Sequence, residues 1–444
     1  MSAQRGCKGR PSVRVSRNGF RTPLHFHACQ ILRAQYLRRM KDVALLFPPT
    51  RTAALERLSA FLPRAGSAYA SKRNHDLGPG AHEHVSMLSP YIRHRTLTEP
   101  EVLEAVLARH SRNAADKFIQ EVYWRTYWKG WLEMRPGVWA SYQAELARDL
   151  DDVATQGGLR RRWESACSGR TGIEAFDAWA HELVDTGYLH NHARMWFASI
   201  WIYTLELPWT LGADFFLRHL MDGDPASNTL GWRWVGGLQT RGKTYLARPD
   251  NITKYTNGRF RPSPRDLAAH APPLDGPENP PRMAPPVDAA FDPAKPTAFL
   301  LHEDDLAPGW LFDRGLTPVA SATLSVSTTQ SPLEMAPEVL AFRAALVAEA
   351  ADRWSDRMGQ TTSVAADPVA IADWARTVGA EQIVTAYAPV GPVKSVLDDV
   401  QGMPVLRPIR AFDMAAWPHA KAGFFKFREQ IPRLLGDLKG LRAA

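Results

Sequence analysis

The sequence of 444 residues lacks several features that would assign it to a common class of protein. Its three cysteines, Cys7, Cys29 and Cys167, fit neither a disulfide framework nor the spacing of a cysteine metal site, which predicts a reducing, cytoplasmic location. No apolar run approaches the roughly 18–20 residues of a membrane-spanning helix. The motifs G-x-G-x-x-G and G-x-x-x-x-G-K-[ST] are missing, so a dinucleotide or triphosphate site has no motif support.

The positive charge of the chain is concentrated at its start. Residues 1–39 hold nine basic residues and no acidic one, which accounts for the net charge of +8. Because the rest is close to neutral, the overall charge is no evidence for nucleic-acid binding. We interpret residues 1–40 as a basic extension that is disordered or, as we favour, translated from upstream of a start at Met40. A basic arm and an Arg-rich targeting peptide are the alternatives.

A long region with helical periodicity follows. Apolar residues recur at helical spacing from about Val43 to Arg265, and no alternating strand pattern interrupts them. One predicted helix begins after Thr98, where Glu101 completes a capping box. Another ends near Thr186–Gly187, because glycine commonly terminates a helix. The pattern predicts an all-helical domain.

The composition changes after the helical region. Nine prolines between His270 and Thr297 predict an extended linker, because proline is excluded from the interior of helices and sheets. Beyond it, the predicted strands AFLLHEDD, ATLSVSTT, QIVTAY and MPVLRPI alternate with predicted helices, as in a doubly wound parallel α/β domain. We therefore predict a multidomain α and α/β chain with a basic extension (1–40), a helical domain (41–268), a Pro-rich linker (269–297) and an α/β domain (298–444).

The stretch LMDGDPASNTLGWRWVGG gathers two carboxylates, an amide and two indoles in a short segment. A turn followed by core tryptophans explains each of these residues by itself. The two indoles lie two residues apart in a predicted helical turn and therefore face different sides. The residues are, in order, Asp222, Asp224, Asn228, Trp232 and Trp234.

A second stretch, EVYWRTYW, places charged groups among indoles. Glu121, Trp124, Arg125 and Trp128 fall at i, i+3, i+4 and i+7, which is one face of a helix. Charges in such surroundings are unusual, since a buried charge needs a partner. By itself the pattern indicates an amphipathic helix with a Glu–Arg ion pair.

Four blocks of the sequence, in their order and spacing, resemble the flavin-binding catalytic domain of the DNA photolyase and cryptochrome family. The blocks are YASKR…HVSMLSPYI, FIQEVYWRTYW, TGYLHNHARM and the stretch that contains Asp222. The resemblance covers roughly residues 65–260, about half of the chain. In that family an α/β antenna domain precedes the flavin domain. The C-terminal α/β domain is therefore interpreted as a relocated antenna-like domain.

The resemblance implies a non-covalently bound FAD. The segment VSMLSP is similar to a loop that cradles the FAD pyrophosphate, although Val85 and Met87 depart from the family pattern. Arg194 would pair with Asp222 beside the isoalloxazine, where fixed charge tunes the cofactor. A second, antenna chromophore is left unassigned, and no metal is expected. The implied FAD-binding residues are Tyr69, Ser86, Leu88, Ser89, Glu121, Arg125, Arg194, Asp222, Asp224 and Asn228, the last two facing flavin N3–H and N5.

The resemblance also implies groups that contact a lesion in DNA. Glu121 would hydrogen-bond a pyrimidine dimer. The dimer would lie between the indoles of Trp124 and Trp234. Asn191 stands where photolyases for cyclobutane dimers carry asparagine and (6-4) photolyases carry histidine. His192 replaces an arginine that commonly grips phosphate. The implied catalytic residues are Glu121, Asn191, Trp124 and Trp234, and the implied DNA-binding residues are Arg73, Trp124, Arg125, Met195, Trp234 and Arg248.

An electron-transfer chain of tryptophans is a further implication of the resemblance. Trp232 would begin the chain near the flavin, and Trp209 would continue it. The third member is left open among Trp139, Trp163 and Trp179.

These implications predict a cytoplasmic, monomeric flavoprotein without a membrane partner. It would flip cyclobutane pyrimidine dimers out of damaged DNA and split them by electron transfer from excited FADH⁻. Asn228 favours repair, because plant cryptochromes carry aspartate there. The alternative is a cryptochrome-type blue-light photoreceptor without repair activity, which His192 and the unusual C-terminal region favour. A relic of the fold without flavin is a third possibility, and the pair Arg194–Asp222 opposes it.

Overall fold

The computed structural model describes the backbone of residues 46–441 and the side chains through Leu438, all within one compact unit, Val43–Ala444. The predicted basic extension, residues 1–40, lies outside the described residues. The described helices include none that is long and apolar enough to cross a membrane.

The first part of the described chain is helical, as predicted, and residues 46–296 contain no described strand. A π-helical turn, Ile200–Thr204, extends the ninth helix. The helices are α1 (Arg51–Phe61), α2 (Ser67–Lys72), α3 (Ser89–Arg93), α4 (Glu99–Arg109), α5 (Arg112–Glu133), α6 (Gly137–Thr155), α7 (Gly157–Cys167), α8 (Glu174–Thr186), α9 (Asn191–Ser199), α10 (Trp209–His219), α11 (Pro225–Val235) and α12 (Pro249–Tyr255).

Two helix boundaries follow from local chemistry that the sequence already displays. Thr98 and Glu101 form the predicted capping box, in which the Thr98 N–H donates to Glu101 Oε2 at 2.8 Å. Helix α8 ends at Thr186, and Gly187 adopts the left-handed conformation with φ of +66° that glycine accepts without steric cost. Both predictions are confirmed.

The second part of the chain forms a parallel sheet of five strands in the order β3-β2-β1-β4-β5. The central strand is buried along its whole length, as expected where helices cover both faces of a parallel sheet. The predicted doubly wound α/β class is confirmed. The strands are β1 (Thr297–His302), β2 (Ala320–Leu324), β3 (Thr361–Val364), β4 (Gln382–Val384) and β5 (Val405–Leu406).

The strands differ from the predictions at two places. Strand β3 was not predicted, because its sequence TTSV is short, polar and largely exposed at the sheet edge. The predicted strand ATLSVSTT ends at Leu324, and Ser327–Thr329 instead form a 3₁₀ turn in which the Ser327 hydroxyl donates to Glu303. The helices of this part are α13 (Gly309–Asp313), α14 (Pro337–Arg353), α15 (Ser355–Met358), α16 (Pro368–Thr377), α17 (Pro392–Asp398), α18 (Ala411–Ala416), α19 (Phe424–Arg428) and α20 (Ile431–Leu441).

The proline-rich segment between the two parts forms neither helix nor strand from residue 270 to 296. Main-chain hydrogen bonds nevertheless attach it to the helical part, since the Leu274 N–H donates to the Gly236 carbonyl at 2.9 Å and the Met283 N–H to the Met134 carbonyl at 2.8 Å. The segment is therefore an extended strap along the surface. Its assignment as the boundary between two domains stays a prediction.

Buried ion pairs join the helical part to the carboxyl end of β1. Arg93 pairs with Asp304, while Arg95 pairs with Asp305 at 3.3 Å and with Asp413, and all five side chains are buried. Burial alone would raise the pKa of the Asp304 carboxyl, but the Arg93 guanidinium lowers the pKa to about 2. In open α/β sheets this edge is the usual place for a ligand. Here the arginines from the helical part occupy it.

Replacing Arg95 with methionine tests how strongly these ion pairs stabilise the fold. Arg95→Met leaves the buried Asp413 without its cation and removes one of the cations beside Asp305 and Glu99, so we expect the free energy of unfolding to fall by about 3–5 kcal/mol. Arg376→Met is the matched control, because Arg376 forms an exposed ion pair with Asp373 and should change stability by less than about 0.5 kcal/mol. Urea and thermal unfolding followed by circular dichroism measure both. Equal stability of the two variants would contradict the prediction.

Candidate functional site

Helix α5 and the end of α2 bring three of the predicted residues together. Arg73 forms an ion pair with Glu121 Oε1, and the ring of Tyr69 packs beside them against Phe118 at 5.2 Å between centroids. Burial raises the pKa of the Glu121 carboxyl, and Arg73 partly opposes this. Burial also raises the pKa of the Tyr69 hydroxyl, and the Glu121 charge adds to that effect. Arg73, predicted to contact DNA, therefore has a protein partner in this structure.

A second group of charges surrounds Asp224 in the interior. Its Oδ1 caps helix α11 by accepting the Ser227 N–H at 2.8 Å, while Oδ2 lies 3.4 Å from Arg125 Nη2 and 3.5 Å from Lys129 Nζ. Arg93 also approaches, at 3.6 Å. Burial raises the pKa of the Asp224 carboxyl, but the Lys129, Arg125 and Arg93 cations outweigh it and hold the pKa well below its usual range. Both oxygens of Asp224 therefore already have protein partners.

Sequence reasoning missed Lys129 and Arg93 as members of this group. Lys129 is buried, and desolvation lowers the pKa of its ammonium to about 8 despite the nearby Asp224. A signal was present for Lys129, which follows Arg125 by four residues and so lies on the same helical face. Arg93 had no such signal, because only the tertiary fold brings it to Asp224.

The predicted pair of Arg194 and Asp222 is present. Arg194 Nη2 lies 3.0 Å from Asp222 Oδ2, and Arg194 Nε donates to the Leu189 carbonyl at 2.8 Å, which fixes the guanidinium. Asp222 Oδ1 is buried and has no hydrogen-bond partner within the described part of the chain. A buried carboxylate oxygen without a donor is costly. The atom is therefore suited to accept an N–H group of a ligand.

The predicted phosphate loop lies next to a cavity of about 540 Å³. Ser86 Oγ accepts the Leu88 N–H at 3.4 Å, and Ser89 begins helix α3. Met87 has a φ of +50°. Residues other than glycine rarely adopt this conformation, which marks local strain. The cavity has both polar and apolar lining, including Arg57, Arg64, His82, Ser86, Met87 and Tyr188.

The two predicted asparagines occupy different environments. Asn228 is buried in α11, and its Nδ2 donates to the Ala213 carbonyl at 2.8 Å, which fixes the amide. Asn191 is exposed as the first residue of α9, and Met195 is half-buried one turn further on. Asn191 is therefore open to a large ligand, whereas Asn228 is held in the interior.

Trp124 is partly covered by the C-terminal region. The ring of Phe424 stacks on it with 3.7 Å between centroids and 12° between planes, and Trp128 lies 5.1 Å away. The indole therefore already has an aromatic stacking partner within the protein, and it is half-buried. No sequence pattern pointed to Phe424, which lies 300 residues later in the chain.

The other predicted DNA contacts lie near the start of α12. Trp234 is half-buried and stacks on Tyr245 with 5.6 Å between ring centroids. Tyr245 in turn lies 3.3 Å from His192 Nε2, so His192 faces a tyrosine hydroxyl. Arg248 is largely exposed and lies 3.5 Å from Asp250.

The predicted tryptophan chain divides into two sets of aromatic contacts. The Trp232 ring meets Trp201 edge-on at 6.1 Å between centroids. The Trp209 ring packs on Tyr142 at 5.6 Å, and Tyr142 contacts Trp139 at 5.2 Å. Of the three candidates for the last position, Trp139 is the one that these contacts connect to Trp209. Trp179 stacks on Trp196 instead.

Comparison with known proteins supports the resemblance. Residues 118–258 match the family model described as the FAD binding domain of DNA photolyase, and this segment contains the last three of the four sequence blocks. A protein named deoxyribodipyrimidine photo-lyase from Thermus thermophilus is 35% identical over 213 residues, which are 46% of this chain and 47% of that protein. A protein of the same name from Alkalihalophilus pseudofirmus is 29% identical and is aligned over 45% of this chain and 40% of that protein.

A solved structure shows a partial likeness. A bacterial class III photolyase from Agrobacterium tumefaciens is 26% identical, with a TM-score of 0.42, and the match covers 50% of this chain and 45% of that one.

The present chain spans about half, or somewhat less, of the length of the curated relatives that it matches. The similarity to the photolyase and cryptochrome family predicted from the sequence is confirmed.

The ion pair of Arg73 and Glu121 should influence the pKa of the Glu121 carboxyl. Arg73→Met removes the cation that lowers the pKa of the Glu121 carboxyl, so burial acts unopposed and the pKa should rise further. Lys117→Met is the control, because the Lys117 ammonium is exposed and its effect on Glu121 is smaller. Carbon-13 NMR of the labelled Glu121 carboxyl as a function of pH measures both. An equal or lower pKa in Arg73→Met would contradict the prediction.

Proposed function

We propose that this protein binds FAD and, under blue light, splits cyclobutane pyrimidine dimers in damaged DNA. The observation that carries the proposal is the pair of Arg194 and Asp222, 3.0 Å apart, within the segment that matches the FAD binding domain of DNA photolyase. The chain acts, in this proposal, as a cytoplasmic monomer whose partner is damaged DNA. The relatives named deoxyribodipyrimidine photo-lyase support the same activity.

The residues present fit a flavin nucleotide. The buried Asp222 Oδ1 and Trp232 Nε1 have no hydrogen-bond partners in the described chain, and a ligand that offers both donors and acceptors would satisfy them. The cavity of about 540 Å³ beside Ser86 lies within the range of roughly 300–1,000 Å³ for small-molecule sites. Of the residues proposed to hold FAD, Ser86 lines this cavity. Reduced FAD held by these residues and excited would supply the electron that opens the dimer. The residues proposed to hold it are Tyr69, Ser86, Leu88, Ser89, Glu121, Arg125, Arg194, Asp222, Asp224 and Asn228.

The positive charge near Asp222 would tune a bound flavin. Arg194 is fixed by Leu189 and Asp222 before any ligand arrives, and such preorganised charge costs no reorganisation during a reaction. Asp224 contributes less directly, because Arg125 and Lys129 already neutralise it. We therefore assign the larger electrostatic role to the Arg194–Asp222 pair.

Glu121 is the group proposed to hold the lesion. Its Oε1 is paired with Arg73, and the half-buried side chain leaves Oε2 for an N–H of a flipped base. Burial raises the pKa of the Glu121 carboxyl, and the Arg73 cation partly opposes this and favours the ionised form that accepts a hydrogen bond. The exposed amide of Asn191 would supply a further hydrogen bond to the same base.

Two indoles are proposed to stack on the lesion. Trp124 would stack on a base with the face turned away from Phe424, and base stacking on an aromatic side chain stabilises binding by about 1–3 kcal/mol. Trp234 is the proposed second stacking partner. Arg248, exposed near α12, would contact the DNA backbone together with Met195.

Electron supply to the cofactor is proposed to run through tryptophans, with a step between the separate contact sets of Trp232 and Trp209. Trp232 would be the proximal donor and Trp209 the next one. The contacts Trp209–Tyr142 and Tyr142–Trp139 would extend the path toward helix α6.

A cryptochrome-type photoreceptor is the second candidate function. Phe424 stacks on Trp124 at 3.7 Å and so reduces the surface available to a lesion. His192 lies near the Asn74 carbonyl and the Tyr245 hydroxyl and stands where an arginine for phosphate is common. Both observations favour a protein that does not grip damaged DNA.

Removal of the Asp222 carboxylate should weaken FAD binding. Asp222→Ala leaves Arg194 unpaired and deletes the free acceptor, a loss of about 1–3 kcal/mol, which corresponds to about 5- to 150-fold in dissociation constant. Quenching of FAD fluorescence on titration measures the affinity. Asp250→Ala is the control, because Asp250 is exposed. A wild-type protein that shows no flavin absorption bands after incubation with FAD would overturn the cofactor assignment.

Substitution of Glu121 separates repair from signalling. Glu121→Gln keeps the size of the side chain and one acceptor oxygen, and nine other residues are proposed to hold FAD, so FAD binding should persist, whereas dimer repair should slow about tenfold from the loss of about 1.4 kcal/mol of hydrogen bonding. The readout is the fraction of cyclobutane dimers restored in an oligonucleotide under blue light. Glu174→Gln is the matched control, because Glu174 is exposed on helix α8 and outside the proposed lesion site. If the wild-type protein with fully reduced FAD repairs no dimer, the photoreceptor function replaces the repair function.

A further inference from the structure

A cluster of metal-ligating side chains lies beside the cavity and is unused by the proposed function. Asp76, His82 and Glu182 each offer one ligand atom, and the three atoms lie within 4.8 Å of one another. Asp76 precedes the loop 85–89, and Glu182 comes from helix α8, so the fold brings together residues about 100 positions apart in sequence. His82 and Glu182 also line the cavity of about 540 Å³.

Two polar atoms of this cluster have unmet bonding capacity. Glu182 Oε2 and His82 Nδ1 are buried without a hydrogen-bond partner among residues 46–438, and both side chains are more than nine-tenths buried. His82 Nε2 lies 2.9 Å from Glu182 Oε1. Leaving two such atoms unsatisfied in the interior is costly. A bound cation would remove part of that cost.

We propose that Asp76, His82 and Glu182 bind one divalent transition-metal ion, with Zn²⁺ as the first candidate. A set of one imidazole and two carboxylates suits Zn²⁺, which accepts both nitrogen and oxygen at about 2.0–2.2 Å. Ligand atoms around tetrahedral zinc lie about 3.3 Å apart by that geometry. His82 Nε2 and Glu182 Oε1 share a hydrogen bond at 2.9 Å, close to this spacing, and an ion bound by Nε2 and the Glu182 carboxylate would replace that hydrogen bond and give the free Oε2 a partner.

The surroundings of Asp76 resemble the outer shell of a metal site. Its Oδ2 accepts the Trp179 Nε1–H at 2.9 Å, and its Oδ1 accepts the Gly78 N–H at 3.1 Å. Metal-ligating carboxylates are commonly held by such hydrogen bonds, which orient them without using all their lone pairs. Arg259, 3.6 Å from Asp76, balances part of the remaining negative charge.

The ligand atoms of Asp76 and Glu182 lie within 4.8 Å of each other. A divalent ion between them would offset the repulsion of two ionised carboxylates. With three protein ligands, the fourth position of the metal would be left for water or an anionic group from the adjoining cavity.

The test measures metal binding by the full chain and involves neither FAD nor light, so its outcome is independent of the proposed function. Chelator-treated protein is titrated with Zn²⁺ against a chromophoric chelator, and with Co²⁺ by visible absorption. Glu182→Gln keeps a side-chain oxygen for His82, and His82→Gln removes the imidazole. The controls are His84→Gln, two residues along the same loop, and Glu174→Gln, exposed on the same helix.

We expect the wild type and both controls to bind one Zn²⁺ per chain at this site and to give the Co²⁺ spectrum of a low-coordinate site. Glu182→Gln and His82→Gln should bind Zn²⁺ at least about tenfold more weakly. The melting temperature should rise with Zn²⁺ in the wild type and not in Glu182→Gln. The proposal is overturned if the wild type binds Zn²⁺ no better than Glu182→Gln, or if His84→Gln loses binding to the same extent. The Co²⁺ spectrum of the wild type tests it even if a variant fails to fold.

Discussion

The pairing of buried arginines with buried carboxylates is the constraint on which the rest of the structure depends. Arg93 and Arg95 come from the segment that follows the loop 85–89, and they meet acids at the carboxyl end of β1. Removing charges from water costs several kcal/mol for each ion, and only close, complementary partners repay this cost. Such pairs contribute little net stability but tolerate few alternative geometries. They therefore set the position of the sheet relative to the helices.

The same arginines connect this junction to the candidate site. Arg93 pairs with Asp304 and also approaches Asp224, which Arg125 and Lys129 contact from helix α5. A displacement of the sheet would therefore leave Asp224 with an altered set of cations. The electrostatic environment of the candidate site is in this way tied to a region of the chain that contributes none of the predicted site residues.

Local features of the fold could be predicted from the sequence, and long-range ones could not. The capping box of Thr98 and the left-handed Gly187 depend on neighbours a few residues away, so the pattern contains the whole interaction. The pairing of Arg93 with Asp304 spans 211 residues, and the stack of Phe424 on Trp124 spans 300. Nothing local distinguishes these residues from others of their kind. The polar edge strand Thr361–Val364 was missed because it lacks the alternation that marks a half-buried strand.

The strap of residues 270–296 affects which order of the two parts along the chain is compatible with the fold. Loop-closure entropy grows only with the logarithm of loop length, so a connection of this length costs little more than a short one. The ion pairs across the junction are contacts between side chains and would form with either chain order. The order of the two parts along the chain should therefore change the free energy of folding very little. The strap acts mainly as a tether that keeps each part at a high effective concentration near the other. A sheet that follows the helices can thus dock as readily as one that precedes them.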